Sequence, residues 1–594
     1  MRHVSGPVTP RPGKNAYLLP VLAAAAAAVI CGLPHLVMIA ADGARYTPFS
    51  VLGASGVIFD ETIAYAPRVE EILGGHPLSG DPHGFEHKAN WSRALPALLP
   101  SSVLAGLGWL LGRSVPWAFV LADLIFPALA VICAYLIARN FRASRPVAAL
   151  SGLLVVLSPE LTVLPMQLLR SPLAALAGPL LALHDPTPLE FSRTFVPQFS
   201  YLLVLMTVLL LQRALLLRTA RWTILAGVVA GLLSYTYAYA WPYLLCALAI
   251  LAAWLLAAGE RSAAKHTLGA GGIALAIGAL VPVALMLDAR AGGASDMVRL
   301  GAGWTPVAWR REGHRLAVTA LLLLLYPRGR REYPLVAAFL IAPLVCALAS
   351  DLSGLRLQDW HWIWRYWMPW MALCTPVLLE ALLSRRWRVP TWAWAALALL
   401  ALVYAANRQC RWAIEAAPAH LLEGDRAGGL TWLADNAPRD AVVVGLDFDF
   451  IGLVPVYTGC NLYLPFAVVT PSPDREILQR YAHSCATLGL SQQEMLARIE
   501  APRRQTGPMT GPDWICYHWT LHFSRRDYRL TDRDRRILSE AWKDAWRVPS
   551  PQHLPFRADY LWVGPDSAAR PHLGRGWRQA WREHKAAIYE VADE

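Results

Sequence analysis

Residues 17–40 read YLLPVLAAAAAAVICGLPHLVMIA, a stretch without a single acidic, lysine or arginine side chain. A helix needs about 20 mainly apolar residues to cross the hydrocarbon core of a bilayer, and this stretch is long enough. Arg2, Arg11 and Lys14 precede it, as basic residues also precede a signal peptide. The apolar run exceeds that of a typical signal peptide, and no clear small-residue cleavage site follows it. The sequence therefore predicts a retained first membrane span.

The pattern repeats along the chain up to about Ala406. Of the 594 residues, 56% are hydrophobic and only 16% are charged, whereas soluble domains average about 25% charged residues. The further apolar stretches that predict spans are Trp117–Ala138, Val147–Gln167, Phe199–Leu217, Thr223–Tyr237, Trp241–Ala258, Thr267–Leu287, Val307–Tyr326, Tyr333–Ser350, Trp362–Leu383 and Trp392–Ala406. The sequence thus predicts a polytopic α-helical membrane protein with about eleven transmembrane helices.

Basic residues lie in short loops on one side of the predicted spans. If the spans alternate, six Arg/Lys clusters share that side: Arg2, Arg11 and Lys14; Arg139, Arg142 and Arg145; Arg218 and Arg221; Arg261 and Lys265; Arg328, Arg330 and Arg331; Arg385, Arg386 and Arg388. Because positive loops remain cytoplasmic, the pattern predicts a cytoplasmic N-terminus and an exoplasmic C-terminus. An extra crossing at Pro172–Leu183 would reverse every later cluster, so this apolar segment is predicted to be re-entrant or interfacial. Topology thus explains the formal charge of +12, and nucleic-acid binding is not expected.

The chain divides into two predicted parts. Residues 1–406 form the membrane module, whose long exoplasmic loops are residues 41–116 and 168–198. Residues 407–594 are polar and mixed, which predicts a separate exoplasmic α/β domain. The predicted strands are Ala441–Leu446, Trp514–Trp519, Tyr560–Val563 and Ala587–Val591, and the predicted helices lie near Asp474–His483 and Asp532–Ala545.

The first long loop contains the sequence FDETIAY, which ends at Tyr65. A helix that begins at Asp60 brings Glu61 and Tyr65, four residues apart, to one face. Two interpretations fit the motif. Asp60 caps a surface helix, since Asp is a favoured N-cap, or carboxylates above the membrane deprotonate an acceptor hydroxyl. Taken alone, the residues favour the cap, and Asp42 at the end of the first span is another candidate acid.

An Asp-Glu pair followed by Tyr, in the first exoplasmic loop after an N-terminal span, resembles the GT-C superfamily of multispan glycosyltransferases. This superfamily includes protein mannosyltransferases and bacterial aminoarabinose and arabinose transferases. The predicted topology, interfacial segment and exoplasmic tail are similar too, so the likeness covers the whole architecture. The resemblance favours a catalytic role over capping and implies that Asp60, with Glu61 beside it, is the general base.

The resemblance also implies a location and a reaction. It implies a multi-pass protein of the bacterial cytoplasmic (inner) membrane, with the C-terminal domain on the periplasmic or extracellular side. The implied donor is a polyprenyl-phosphate-linked hexose or pentose, and the implied exoplasmic acceptor is a lipid, a glycan or a protein.

Two later segments carry candidate substrate-binding residues besides Tyr65. Arg193 closes the second long loop, where a planar guanidinium suits a phosphate, although interfacial anchoring explains it equally well. His361 and Tyr366 belong to HWIWRYWMPW, an aromatic run that a membrane-interface belt explains without a function. Arg365 in this run is costly as a lone charge entering a span. The Arg-Tyr pair and following Pro resemble a late span of GT-C proteins, which implies that Arg365 contacts the donor phosphate; snorkelling is the equal alternative.

Other polar residues give weaker signals. Asp123 lies inside the second predicted span, and an intramembrane acid is a functional hypothesis by default. Carboxylates and imidazoles at Asp81, His83, Glu86 and His87 suit a divalent cation, but solvated loop polarity is favoured, so no metal ligand or cofactor is assigned. Among the four tail cysteines, Cys460 and Cys485 are the first pair to test for a disulfide, although spacing cannot choose among three pairings.

Two alternatives to the glycosyltransferase stay open. A polysaccharide polymerase or ligase also has many spans, and it is expected to depend on exoplasmic Arg and His residues. A non-enzymatic lipid or sugar transporter often shows inverted repeats, and the sequence has no evident repeat. No P-loop or Gly-rich dinucleotide motif follows a predicted strand, which argues against an ATP-driven pump and a Rossmann-type nucleotide-sugar enzyme.

The topology can be tested with a reporter fused after Asn407. Because the basic clusters predict an exoplasmic tail, the reporter should be active only on the exoplasmic side. Activity of this fusion in the cytoplasm would contradict the whole scheme of spans.

Overall fold

Seven helices in the described part of the chain are long and apolar enough to cross a membrane. They are Leu18–Arg45, Val115–Asn140, Phe195–Leu217, Ala240–Ala257, Arg261–Asp288, Tyr333–Ser350 and Ile363–Leu383. The structure is a computed structural model. It describes residues 17–49, 60–157, 188–290, 303–304, 313–353, 355–356, 360–385, 387, 389–422, 424–467, 469–500, 530–547, 550–565 and 576–592.

The main helices of the membrane module follow the predicted spans. They are α1 (Leu18–Asp42), α2 (Ala66–Leu73), α3 (Leu98–Leu110), α4 (Val115–Asn140), α5 (Arg145–Leu157), α6 (Ser200–Leu217), α7 (Ala220–Leu232), α8 (Ala240–Ala257), α9 (Arg261–Gly278), α10 (Leu280–Asp288), α11 (Gly313–Leu325), α12 (Tyr333–Ser353), α13 (Met368–Leu383) and α14 (Thr391–Ala416). Each of the eleven predicted spans coincides with one of these helices in whole or in part. The polytopic helical architecture is therefore confirmed, while the number of crossings and their orientation stay predictions.

Contacts between loops agree with the predicted alternation of the spans. On the predicted cytoplasmic side, Arg330 donates to the carbonyl oxygen of Phe141 at 3.1 Å, and Arg218 pairs with Glu260 at 3.3 Å. The two long loops and the later exoplasmic turns contact one another at the other end of the bundle, where the candidate site lies. The predicted re-entrant segment Pro172–Leu183 lies outside the described residues.

The first long loop contains a helix, α3, that the sequence did not predict. Helix α3 packs between α2 and α4, and its C-terminal turn exposes Trp109 (67%) and Leu110 (71%). Two exposed apolar side chains beside a membrane module are expected at the lipid interface, because Trp is enriched there.

The tail contains a five-stranded sheet, which confirms the predicted α/β domain. Its strands are β1 (Val442–Val444), β2 (Asn461–Leu462), β3 (Tyr560–Val563), β4 (Trp577–Glu583) and β5 (Ala586–Val591). The spatial order is β2-β1-β3-β5-β4, in which β2, β1 and β3 are parallel and β5 and β4 are antiparallel to their neighbours. The helices are α15 (Gly424–Asn436), α16 (Phe448–Ile451), α17 (Val454–Tyr457), α18 (Asp474–Thr487), α19 (Gln492–Glu500) and α20 (Asp532–Arg547).

Three predicted strands and both predicted helices are present in the tail. Strand β4 was missed because its sequence, WRQAWRE, is charged and half-exposed, which is how an edge strand avoids pairing with other chains. The predicted strand Trp514–Trp519 lies outside the described residues. The suggested disulfide is wrong, because Cys460 is a buried free thiol in β-sheet packing and forms no bridge with Cys485.

Ion pairs attach the first long loop to the tail. The guanidinium of Arg480 on α18 is fully buried and donates to Glu86 of the loop at 2.8 Å, to Glu476 at 2.8 Å and to the carbonyl oxygen of Tyr463 at 2.9 Å. His87 of the loop contacts the Glu476 carboxylate at 3.0 Å. This hydrogen bond raises the pKa of His87, against the effect of burial. We call these four side chains the loop–tail clamp: Arg480, Glu86, Glu476 and His87.

Arg480→Met tests the loop–tail clamp. Removing one partner of a buried ion pair costs about 3–5 kcal/mol, because the remaining charges lose their counter-ion. Because Glu86 is 29% exposed, we expect a loss at the low end of this range. The free energy of unfolding of the tail should fall by about 3 kcal/mol, as measured by urea-dependent proteolysis. The matched control is Arg578→Met, whose pair with Glu590 is 72% exposed at the arginine and should cost at most about 1 kcal/mol. Equal losses in the two variants would contradict the clamp.

Candidate active site

The candidate residues of the sequence analysis lie on or beside three π-helical turns. These turns are Asp60–Tyr65, Thr194–Phe199 and Ile363–Trp367. A π-turn widens the helix by one residue and occurs frequently at functional sites. Asp60 and Glu61 begin the first turn, Arg193 precedes the second, and Arg365 lies in the third.

The tail fixes the position of the first turn. The imidazole of buried His83 contacts the carbonyl oxygen of Ile63, inside that turn, at 2.5 Å. The carbonyl oxygen of the same His83 accepts from the amide of Leu462 in β2 at 2.7 Å. Burial lowers the pKa of His83 to about 4, so its ring is neutral at pH 7 and bonds to the carbonyl through a ring N–H. The turn that carries Asp60 and Glu61 is thus connected to the sheet through a single histidine.

Glu61 faces Arg193 of the second loop. The Nε of Arg193 lies 3.6 Å from Oε1 of Glu61, and the two side chains are only 14% and 12% exposed. Tyr65 stacks on Phe195 with ring centroids 3.9 Å apart and an angle of 7°. The first two turns are therefore joined by one ion pair and one ring stack. Asp60 begins the first turn, and its side chain lies outside the described set.

The side chain of Gln409 fixes the segment that precedes Arg193. Its side chain is fully buried on α14, which continues past the predicted domain boundary at residue 406. Oε1 of Gln409 accepts from the amide of Leu189 at 3.1 Å, and Nε2 donates to Ser192 and to the carbonyl oxygen of Ile30 on α1. Because this amide ties three segments together, residues 189–192 are held against the start of the bundle.

Arg365 lies in the turn that leads into α13 and is 4% exposed. Its Nη1 donates to the hydroxyl of Tyr237 at 2.9 Å, and its Nε lies 3.3 Å from Oε1 of Glu190. The guanidinium also lies over the Tyr237 ring, 5.1 Å from its centroid. Arg365 of the third turn is thus paired with Tyr237, which follows α7, and with Glu190, which precedes Arg193 in the second long loop.

His361 completes this group. Burial, reinforced by the positive charges of Arg365 and Arg193, lowers the pKa of His361 far below its ordinary value. A neutral imidazole can accept at Nδ1, and the Tyr237 hydroxyl, which already accepts from Arg365, donates to it. The chain of donors runs from Arg365 through Tyr237 to His361. Two arginines, two glutamates and a neutral histidine therefore lie together at the predicted exoplasmic end.

Tyr366 lies apart from this group. Its side chain is fully buried, and its ring stacks on Tyr243 with centroids 4.5 Å apart. These contacts belong to the packing of α8 against the third turn, so its predicted role in substrate binding stays a prediction. Glu190 was missed as a site residue, because no local pattern distinguishes it. Tyr237 belongs to the aromatic turn after α7, which the sequence favours as a membrane-interface belt, with stacking on a sugar or lipid as the alternative.

The four loop residues considered for a divalent cation do not converge on one point. Glu86 and His87 belong to the loop–tail clamp, His83 holds the first turn, and Asp81 accepts from the His83 amide at 2.9 Å and from Thr470 at 2.5 Å. Another group, Glu71, His76 and Asp440, brings its ligand atoms within 4.8 Å of one another. The ammonium of Lys88 donates to both Glu71 and Asp440, so a lysine already supplies the positive charge there.

Solved structures similar to this chain include those of three kinds of protein. The oligosaccharyltransferase of Archaeoglobus fulgidus, tethered with an acceptor peptide, has 12% identity and a TM-score of 0.44, and the match covers 93% of this chain and 69% of that chain. The arabinofuranosyltransferase AftD from mycobacteria has 16% identity and a TM-score of 0.45, covering 96% and 40%. ArnT from Cupriavidus metallidurans, bound to undecaprenyl phosphate, has 12% identity and a TM-score of 0.40, covering 97% and 98%.

The likeness to these solved structures is one of fold. This chain spans about 40% of the length of AftD. No protein-family model and no curated protein matches the chain.

Proposed function

We propose that this chain is a GT-C-type membrane glycosyltransferase that moves a sugar from a polyprenyl-phosphate carrier to an exoplasmic acceptor. The observation that carries the proposal is the meeting of three side chains at one end of an apolar helix bundle. They are Arg193 at the end of the second long loop, Arg365 in the turn before α13, and Glu61 of the first long loop. A lipid-linked phosphate enters from the bilayer and needs buried positive charge at this depth. A carboxylate next to that charge suits the acceptor side of the reaction.

The two arginines would hold the phosphate of the donor. A guanidinium presents a rigid fork of N–H donors that matches phosphate oxygens, and its charge persists when it is buried. Both arginines are paired with glutamates, so an arriving phosphate would compete with carboxylates for the same N–H groups. The hydroxyl of Tyr237 and the neutral His361 would keep Arg365 oriented while its glutamate partner changes.

The acids of the first turn would act on the acceptor. A carboxylate of Asp60 or Glu61 takes the proton of the acceptor hydroxyl, the hydroxyl oxygen forms a bond to C1 of the sugar, and the bond from C1 to the phosphate oxygen breaks. The electron pair of that bond stays on the lipid phosphate, whose growing charge Arg365 and Arg193 stabilise. No ATP is consumed, because the lipid phosphate is already an activated leaving group.

The cellular setting is part of the proposal. The six basic clusters favour a cytoplasmic N-terminus, which would orient the first turn and the sheet domain towards the periplasm or the cell exterior. The donor sugar is a hexose or a pentose. The sheet domain, in whose described residues no catalytic set is evident, would support the first loop from outside.

Asp60→Asn tests the general base. The variant keeps the shape of the side chain but removes its ability to accept a proton, so sugar transfer from a polyprenyl-phosphate donor should fall about 10²–10⁴-fold while donor binding changes little. The matched control is Glu70→Gln in the same loop, whose carboxylate pairs with Arg439 at 3.1 Å and which should remain active. Full activity of Asp60→Asn would reject this residue as the base, and Glu61→Gln and Asp42→Asn would be measured next.

Arg365→Ala tests the phosphate contact. The loss of a charge-assisted hydrogen bond, about 1.5–3 kcal/mol, should weaken binding of a polyprenyl phosphate by about 10–100-fold, measured in nanodiscs with a labelled lipid. Arg365→Lys should recover part of the affinity, because it keeps the charge but not the fork. The control is Trp364→Ala, because Trp364 is 46% exposed on the same turn. Equal donor binding in Arg365→Ala and wild type would contradict the assignment.

A further inference from the structure

Glu71, His76 and Asp440 form a small group of polar side chains between the first long loop and the tail. Glu71 lies near the end of α2. Gly75 has a positive φ of 94°, which glycine adopts readily, and the chain turns there so that the His76 amide donates to the carbonyl oxygen of Glu71 at 2.9 Å. Asp440 belongs to the tail and lies just before β1. The group shares no residue with the loop–tail clamp or with the candidate active site.

The ammonium of Lys88 orients the two carboxylates of this group. It donates to Oε1 of Glu71 at 2.8 Å and also to Oδ1 of Asp440. The other oxygen of each carboxylate faces the imidazole, because Nδ1 of His76 lies 3.4 Å from Oε2 of Glu71 and 3.9 Å from Oδ2 of Asp440. The lysine therefore balances one of the two negative charges and leaves one oxygen of each carboxylate directed at His76.

The second oxygen of Glu71 is buried without a hydrogen bond. The Glu71 side chain is only 6% exposed, and among the described residues no donor forms a hydrogen bond to its Oε2. A buried acceptor that is left unsatisfied costs free energy, and the cost is larger for a charged group. This oxygen therefore favours a positively charged ligand in front of it.

The spacing of the three free ligand atoms fits a zinc ion. Zn²⁺ binds imidazole nitrogen and carboxylate oxygen at about 2.0–2.2 Å in tetrahedral geometry, which places two ligand atoms about 3.4 Å apart. The distances of 3.4 and 3.9 Å from His76 to the two oxygens are close to this value. Glu71 and His76 also border a cavity of about 10 Å³, which has room for about one water molecule. A water there completes a set of four zinc ligands.

We propose that Glu71, His76 and Asp440 bind a zinc ion that joins the first long loop to the tail. Lys88 is a positioning residue, because it holds the carboxylate oxygens that do not face the metal, as the outer hydrogen bonds of metal-binding carboxylates do. Two ligands come from the loop and one from the tail, so the bound ion fixes α2 against the start of β1. The proposal does not depend on the transfer reaction.

The experiment measures zinc binding to the full chain, purified without a polyhistidine tag, stripped with a chelator and placed in nanodiscs. Competition with a chromogenic zinc indicator should show one tight site in the wild type. His76→Ala removes the imidazole ligand, and because His76 is 42% exposed, this variant should fold. It should bind zinc at least about 100-fold more weakly, since even the loss of an outer hydrogen-bond partner costs 10–100-fold. Asp440→Asn should weaken binding as well.

The matched control is His584→Ala. His584 belongs to the other group of one histidine and two carboxylates, with Asp425 and Glu583, whose ligand atoms also lie within 4.8 Å of one another. Its side chain is 77% exposed and pairs with Asp425 at 3.0 Å. This second group contains no carboxylate oxygen that is buried without a hydrogen bond. His584→Ala should therefore bind zinc as the wild type does.

Amide hydrogen exchange tests whether the ion joins the two parts of the chain. Zinc should slow exchange in α2 and at the start of β1 in the wild type and in His584→Ala, but not in His76→Ala. Absence of zinc binding, equal affinity in His76→Ala and the wild type, or loss of binding in His584→Ala would overturn the proposal. Zinc binding that slows exchange in neither α2 nor β1 would also overturn it.

Discussion

A guanidinium buried at the end of a membrane helix sets the arrangement around it. Arg365 is 4% exposed, and a charge withdrawn from water costs several kcal/mol unless partners compensate for it. The compensation comes from Glu190 and Tyr237, each of which lies more than a hundred residues before Arg365 in the chain. Because Arg365 requires both, the second loop, the turn after α7 and the start of α13 have to meet at one point. Arg193 follows Glu190 by three residues and is thereby brought to Glu61.

The first turn needs separate support, because an acid-bearing loop of this length has little order of its own. His83 and the loop–tail clamp provide it. Arg480 is fully buried between Glu86 and Glu476, and β2 bonds to His83, which in turn bonds to Ile63. The sheet domain is therefore a rigid support for the first long loop. Its contacts with that loop fix the position of the turn that carries Asp60 and Glu61.

The spans were predictable because a helix that crosses a bilayer needs about 20 mainly apolar residues. Such a run is visible in the local sequence without knowledge of tertiary contacts. Strands β1, β3 and β5 were predictable for a similar reason, since each is a short buried apolar run. Strand β4 and helix α3 were not predicted. The sequence of β4, WRQAWRE, has the charge of a surface segment. The apolar run of α3 is too short to cross a bilayer and lies within a long loop.

The candidate site divides in the same way. Arg365 was a candidate because a lone charge entering a span is costly, and Arg193 because a planar guanidinium suits a phosphate. The structure brings both to the same group. Glu190 and Tyr237 depend on contacts between distant segments, which no local pattern encodes. Glu86 and His87 were considered as cation ligands, with solvated loop polarity favoured, because carboxylates and imidazoles suit both uses. Both instead contact charged residues of α18, Arg480 and Glu476, and the position of that helix is a tertiary property. Cys460 looked available for a disulfide because its burial in the sheet is a tertiary property.

The most direct test of the account is an experimental structure of the protein in a lipid nanodisc with a bound polyprenyl phosphate. The account predicts that the phosphate lies between the guanidinium groups of Arg193 and Arg365, within hydrogen-bonding distance of both, with the acids of the first turn adjacent to it. A phosphate bound elsewhere, for example at the basic loops on the predicted cytoplasmic side, with Arg365 still paired to Glu190, would contradict it.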